Sequence, residues 1–259
     1  ERAKENFPLL LKTFTHKFYI FVHDVKIIEF LEANKKFASL ENYTYVLLSQ
    51  NEFDTSSLSN VIVAKKCKQN IESFKNYLQF TGWFCLVANK FIDTDYVTLL
   101  EYDVDLEENA FEVINQEIKK DQLKCYGYAR LPKTNSFLNN DIFSEGLVNF
   151  CKLNNISPAK IISSKLSNDW IVTSNVTFDS KTFKNLVKSD LFIKFLNFLK
   201  NNKYSGHWLE RFTTLFLTLN NIPYRCIEQN NKGIITHLAI DSHNTQGRHE
   251  LYKQYQTLL

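Results

Sequence analysis

The chain has 259 residues, 44% hydrophobic and 23% charged, with 22 Phe and 12 Tyr to fill a core, a balance that excludes a disordered or fibrous protein and admits one large α/β domain or two small ones. The net charge of +3 comes from lysines dispersed among acidic residues; the densest group, Lys65, Lys66 and Lys68, reads as a solvated surface, and no nucleic-acid partner is expected.

Phe18-Tyr19-Ile20-Phe21-Val22 is a β-rich run ending at His23-Asp24, and Ile27, Ile28 and Leu31 follow at helical spacing. Tyr43 to Leu48 is a second strand, closed by a polar loop from Ser49 to Ser59, and Val61 to Ala64 is a short buried third. Ile71, Phe74 and Leu78 predict a helix over Asn70 to Leu78. Val97-Thr98-Leu99-Leu100 leads into Glu101-Tyr102-Asp103-Val104-Asp105, and Phe111, Ile114 and Ile118 mark a helix over Glu107 to Asp121. Alternating strands and helices are the mark of a mostly parallel central sheet flanked by helices, which binds ligands outside the carboxyl ends of its strands.

The second half is less regular. Strands are expected over Leu123 to Arg130 and Trp170 to Phe178, helices over Lys181 to Lys200 and His207 to Leu219, and a last strand over Gly233 to Ile240, before Asp241-Ser242-His243. No linker or repeat interrupts the chain. The expectation is one α/β domain over residues 1–259, with a nucleotide-binding half over about 14–122 and an acceptor-binding half over 123–259.

No apolar run is long enough to span a bilayer, and residues 1–12 show no signal or transit pattern. Five cysteines in no metal or disulfide spacing suit a reducing compartment, so a soluble, cytoplasmic protein is expected. The chain has no Met, even at its first position, and is expected to be a trimmed form.

Only six glycines are present, and none form a phosphate loop or dinucleotide fingerprint. A nucleotide diphosphate bound without such a loop needs its charge neutralised otherwise, and a divalent cation on carboxylates does this. Asp103 and Asp105 stand two apart at the end of an apolar strand, so a continuing strand would aim both carboxylates at one site. Asp93 and Asp95 have the same spacing but precede the strand, and are read as loop residues.

Asp103-Val104-Asp105 after a buried strand resembles the D-x-D of GT-A-type glycosyltransferases, in which carboxylates hold Mn²⁺ or Mg²⁺ against the donor diphosphate. The stretch from Asn70-Ile71 through Phe80-Thr81-Gly82-Trp83 to Asp105 is similar to the nucleotide half of that family. The resemblance implies a GT-A-like fold and a nucleotide-sugar donor, with a UDP-sugar expected, and a glycan, protein or small-molecule acceptor. It implies that Asp105 ligates the metal directly, that Asp103 contacts ribose or metal-bound water, and that His23 and Asp24 lie near the base. It also implies a third ligand from a histidine near the C-terminus, His243 in preference to His237. An inverting transferase needs a carboxylate base; Glu210, near a helix start in His207-Trp208-Leu209-Glu210-Arg211, comes first and Asp169 second. Trp170 or Trp208 would be available to stack on a sugar. The alternatives are a nucleotidyltransferase and a non-catalytic carbohydrate-binding or scaffold domain.

Overall fold

The computed structural model describes residues 13–49, 51–52, 54–74, 77–132, 141–164, 169–171, 174–200, 205–229, 232–237 and 257. Its centre is a seven-stranded sheet, built by β1 (His16–Val22), β2 (Tyr43–Leu47), β3 (Val61–Val63), β4 (Tyr96–Glu101), β6 (Cys125–Gly127), β9 (Val176–Asp179) and β10 (Tyr224–Cys226) in the order β10-β6-β9-β4-β1-β2-β3. Six strands run the same way; β9 alone is antiparallel to both its neighbours, β4 and β6. The sheet is therefore mostly parallel.

Such a sheet must be covered on both sides, and the strand sequences show it. Along β1, Phe18, Ile20 and Val22 enter one apolar cluster while Tyr19 and Phe21 enter the other. The first cluster is closed by α1 (Val25–Ala33) through Ile27, Ile28 and Leu31, and by α3 (Ala110–Asp121) through Ile114 and Ile118. The second is closed by α2 (Gln79–Ala88), α6 (Ser180–Lys188), α7 (Asp190–Leu199) and α8 (Ser205–Leu219), through Trp83, Phe183, Phe195 and Phe212 among others. Helices α4 (Asp141–Leu153) and α5 (Pro158–Ile162) add Phe150 and Ile161 to it. Small antiparallel pairs sit at the margin: β5 (Val104–Leu106) with β13 (Ile235–His237), β7 (Arg130–Pro132) with β8 (Asp169–Ile171), and β11 (Glu228–Gln229) with β12 (Lys232–Gly233).

Several expected boundaries move. The helix expected over Asn70 to Leu78 begins instead at Gln79, because Leu78 adopts φ 45° and breaks the helical path. Ile71 and Phe74 pack against the core from turns. Helix α2 is buried on nearly every side, so it has no polar face from which a period could be read. The expected helix over Lys181 to Lys200 is two helices divided at Ser189, whose hydroxyl accepts from the Phe192 amide at 3.1 Å and caps α7. The strands expected over Leu123 to Arg130 and Trp170 to Phe178 are likewise each split in two. Of the strand expected over Gly233 to Ile240, residues 238–240 lie outside the described residues. Helices α4 and α5 were not anticipated.

All five cysteines are free thiols, with Cys85, Cys125 and Cys151 buried. Among the described residues no helix is long and apolar enough to cross a membrane.

Candidate functional site

The carboxyl ends of β1, β2 and β4 open into a cleft of about 570 Å³. Phe21, Val22, His23 and Asp24 enter it from the end of β1, and Leu48, Ser49 and Asn51 from the segment after β2. Glu72, Leu78, Gln79 and Thr81 come from the approach to α2 and its first turn, and Glu101, Tyr102 and Asp103 from the end of β4. Neighbouring parallel strands that diverge into loops at one edge leave such a hollow, which is where open α/β sheets bind ligands.

The charge of this wall is one-sided. Asp24, Glu72, Glu101 and Asp103 bring four carboxyl groups, and among the described lining residues there is no Lys or Arg. Glu101 is held by Asn175, which accepts from the Glu101 amide at 2.7 Å and donates to its carboxylate at 3.3 Å. Gln79 is buried and donates to Ser174. Through Ser174 and Asn175 the second half of the chain reaches the cleft wall.

Glu72 is only 5% exposed and its Oε1 has no hydrogen-bond partner. Burial pushes its carboxyl up to about 7, against a smaller opposing pull from the Thr81 hydroxyl. His23 stands at the rim with its ring edge-on to Tyr102, centroids 5.0 Å apart. Desolvation lowers its pKa, and the Asp24 charge opposes that shift.

The expected site residues are distributed as follows. Asp103, His23 and Asp24 line the cleft. One oxygen of Asp24 also accepts from the Lys26 amide at 2.8 Å, capping α1. Asp105 is not on the cleft wall; it lies in β5 and its carboxylate meets the Lys36 ammonium at 2.8 Å. The chain turns at Tyr102-Asp103, between β4 and β5, so the alternation of a continuous strand does not carry from Asp103 to Asp105. The pair that the cleft receives is Glu101 and Asp103, at the same spacing one step earlier.

Asp169 opens β8 and Glu210 falls near the start of α8; only their positions on these elements are described. The two elements are bonded, the Ile171 amide donating to the Thr214 hydroxyl at 3.0 Å. His243 lies outside the described residues, and His237 ends β13 in register with Val104, beside Asp103. Trp170 is buried in the core. Asp95 accepts from the Thr15 amide and hydroxyl and is a loop residue.

Glu72, Glu101, Gln79 and Asn175 were not singled out from the sequence. Glu101 was open to the spacing rule applied to Asp103 and Asp105. Glu72 carries no local signal.

A divalent cation fits this wall in a limited way. Among the described residues no three His, Cys, Asp or Glu side chains converge on a common point. Two carboxylates are what a hard cation such as Mg²⁺ commonly takes from protein when substrate phosphates complete its shell.

No protein-family model matches the chain, and no curated protein matches it by sequence. Among solved structures, the apo form of the bifunctional glycosyltransferase WbbM aligns over 83% of this chain with a TM-score of 0.57 and 13% identity. The alignment spans 44% of the WbbM chain. The mannosyltransferase Ktr4p from S. cerevisiae aligns over 82% of this chain and 67% of its own, at 14% identity and a TM-score of 0.38. Its complex with GDP covers 84% and 70%, with the same identity and score. At these identities the likeness to WbbM is one of fold: the chain shares an α/β architecture with a glycosyltransferase.

Proposed function

We propose that the protein is a glycosyltransferase of GT-A type that moves a sugar from a nucleoside-diphosphate donor to a hydroxyl acceptor. The observation that carries this reading is the cleft at the carboxyl edge of β1, β2 and β4, which sets four carboxyls and no lysine or arginine among its described lining residues. A diphosphate entering such a wall alone would be repelled at every approach. With a divalent cation between, the same carboxylates become favourable, and Glu101 and Asp103 would hold it. A cation bound there would supply neutralising charge to the diphosphate leaving group. The glycosyltransferase fold supports the reading at the level of architecture.

Each part of the chain then has a task. Asn175 fixes Glu101 from both its amide and its carboxylate, so that carboxylate is oriented before any ligand arrives. His23 and Asp24 border the nucleotide, and the apolar surfaces of Phe21, Leu48 and Leu78 give it a wall. Asp105 anchors the turn that presents Asp103 through its ion pair with Lys36. His243 follows β13, whose last residue lies beside Val104, and is the proposed third protein ligand. In the transfer, the acceptor oxygen bonds to the anomeric carbon as the bond from that carbon to the diphosphate breaks, and Glu210 or Asp169 takes the acceptor proton.

The test is nucleotide binding followed by thermal shift and calorimetry, with UDP and GDP, with and without Mn²⁺. The wild type is expected to bind a diphosphate only with the cation. Asp103→Asn removes that response, at least about tenfold in affinity, while Asp105→Asn keeps it. Metal-independent binding, or an Asp103→Asn variant that binds as the wild type does, overturns the assignment.

A further inference from the structure

Glu72 is a carboxyl that the fold itself leaves unfinished. It lines the cleft while 5% exposed, and its Oε1 has no hydrogen-bond partner. Leaving a buried acceptor unmet costs about 1–3 kcal/mol, so native structures seldom keep one without a reason. Thr81 is the polar neighbour acting on this carboxyl. Phe21, Leu48 and Leu78 give the cleft apolar surface, with Gln79 the neighbouring polar side chain from α2. Leu78 is 52% exposed and is held at φ 45°, a conformation that costs a non-glycine residue energy. Apolar surface beside a buried, unmet acceptor suits a flat ring read at an edge atom.

The topology gives this wall its place relative to the diphosphate. Glu101 closes β4 and Asp103 follows it, His23 follows β1 and Leu48 follows β2, and Glu72 lines the same cleft beside Thr81 at the first turn of α2. Side by side at the usual strand spacing, β4 to β2 is roughly 10 Å. A nucleotide with its diphosphate at the end of β4 would have its base along this cleft, whose wall includes Glu72.

We propose that Glu72 reads the base of the donor nucleotide by accepting a lactam ring N–H, the N3–H of uracil or the N1–H of guanine. The inference rests on the reading that this cleft takes a nucleoside diphosphate. Cytosine and adenine present a ring nitrogen lone pair at the corresponding edge. Set against a carboxylate, that lone pair repels and leaves Oε1 unmet, and a site built to meet a donor rejects the analogue lacking it strongly.

Calorimetry on the full chain tests this, with UDP, GDP, CDP and ADP in the presence of Mn²⁺ at pH 8. The expected result is that UDP or GDP binds at least about tenfold tighter than CDP and ADP; which of the two wins identifies the base. Methylating the ring nitrogen, as N3-methyl-UDP or N1-methyl-GDP, should lose about the same factor on the wild-type protein, so this arm does not depend on a variant folding. Glu72→Met should level the four affinities, and Glu72→Gln, whose amide both donates and accepts, should narrow them. Equal wild-type affinities for all four bases, or methylated nucleotides that bind as well as their parents, overturn the role of Glu72 and leave the transferase reading standing. Binding of no nucleotide at all overturns both.

Discussion

Glu72 and His16 are buried titratable groups that pull stability in opposite directions as pH changes. Burial raises the Glu72 carboxyl to about 7 from an ordinary 4.5, so the folded protein holds that proton longer than the unfolded chain. Its contribution is complete below about pH 4.5 and is lost as pH rises to 7. His16 is the reverse. Its ring is bonded to Thr98 at 2.7 Å and Asn115 at 2.9 Å, and burial lowers it to about 4 from 6.5 against a smaller upward pull from Asn115. Its contribution is complete above about pH 6.5 and is lost as pH falls to 4, about 3 kcal/mol in all. Between about 4.5 and 6.5 the two slopes offset each other. Replacing Glu72 with Gln should therefore raise stability at pH 8 by about 2 kcal/mol, the ionisation being relieved. The same variant should lose stability steadily from pH 6.5 to 4, with the His16 slope now unopposed. Urea denaturation at a series of pH values reads both; a Glu72→Gln protein no more stable than wild type at pH 8 would remove the buried-carboxyl account.

At the level of elements, α2 is the piece on which the cleft rests. Its first turn brings Gln79 and Thr81 to the wall, and its glycine, Gly82, lies directly beneath the β1 and β2 ends. A methyl group at Gly82 would stand 2.5 Å from the Phe21 ring and 3.1 Å from Leu48. Helix propensity alone favours Ala there by about 1 kcal/mol. The clash is with ring atoms of a buried phenylalanine, and such overpacking costs typically 1–3 kcal/mol. The steric effect wins, so Gly82→Ala should lower the thermal midpoint and displace Phe21 at the cleft, weakening the proposed nucleotide binding as well. A stabilised Gly82→Ala variant would show that the ring has room to move.

Across the whole molecule, β9 joins what the chain order separates. It enters the sheet between β4 and β6, antiparallel to both, and so welds the second half onto the first. A buried polar line follows the same seam: His16 bonds Thr98, Thr98 bonds Thr177, and the Tyr128 hydroxyl bonds Thr177. Just before β9, Asn175 grips Glu101 and Ser174 accepts from Gln79, so the wall is assembled from both halves at one point. Asn175→Ala should therefore do two things. It should cost about 1–3 kcal/mol of stability, since the Glu101 amide loses its acceptor. It should also weaken the proposed cation-dependent nucleotide binding more than equally destabilising changes elsewhere in the core. Loss of stability with unchanged nucleotide affinity would make Asn175 a purely structural residue.

The first half was legible because its strands and most of its helices carry their own pattern. The runs at Phe18–Val22, Tyr43–Leu47 and Val97–Leu100 are apolar on both faces, as strands of a covered parallel sheet must be. Ile114 and Ile118 fix α3 by period alone. Those local patterns were sufficient for the class of fold and for expecting a cleft at the end of β4. What they left undetermined was decided by contacts between distant segments. A turn at Tyr102-Asp103 diverts Asp105 to Lys36 and leaves Glu101 beside Asp103, and periodicity cannot register a turn inside an apolar-to-acidic run. Helix α2 is buried on nearly every side, polar Gln79 and Thr81 included, and has no solvent-facing side to betray its start. Glu72 becomes notable only because folding removes it from water and leaves its Oε1 without a partner, and burial is a property of the assembled chain.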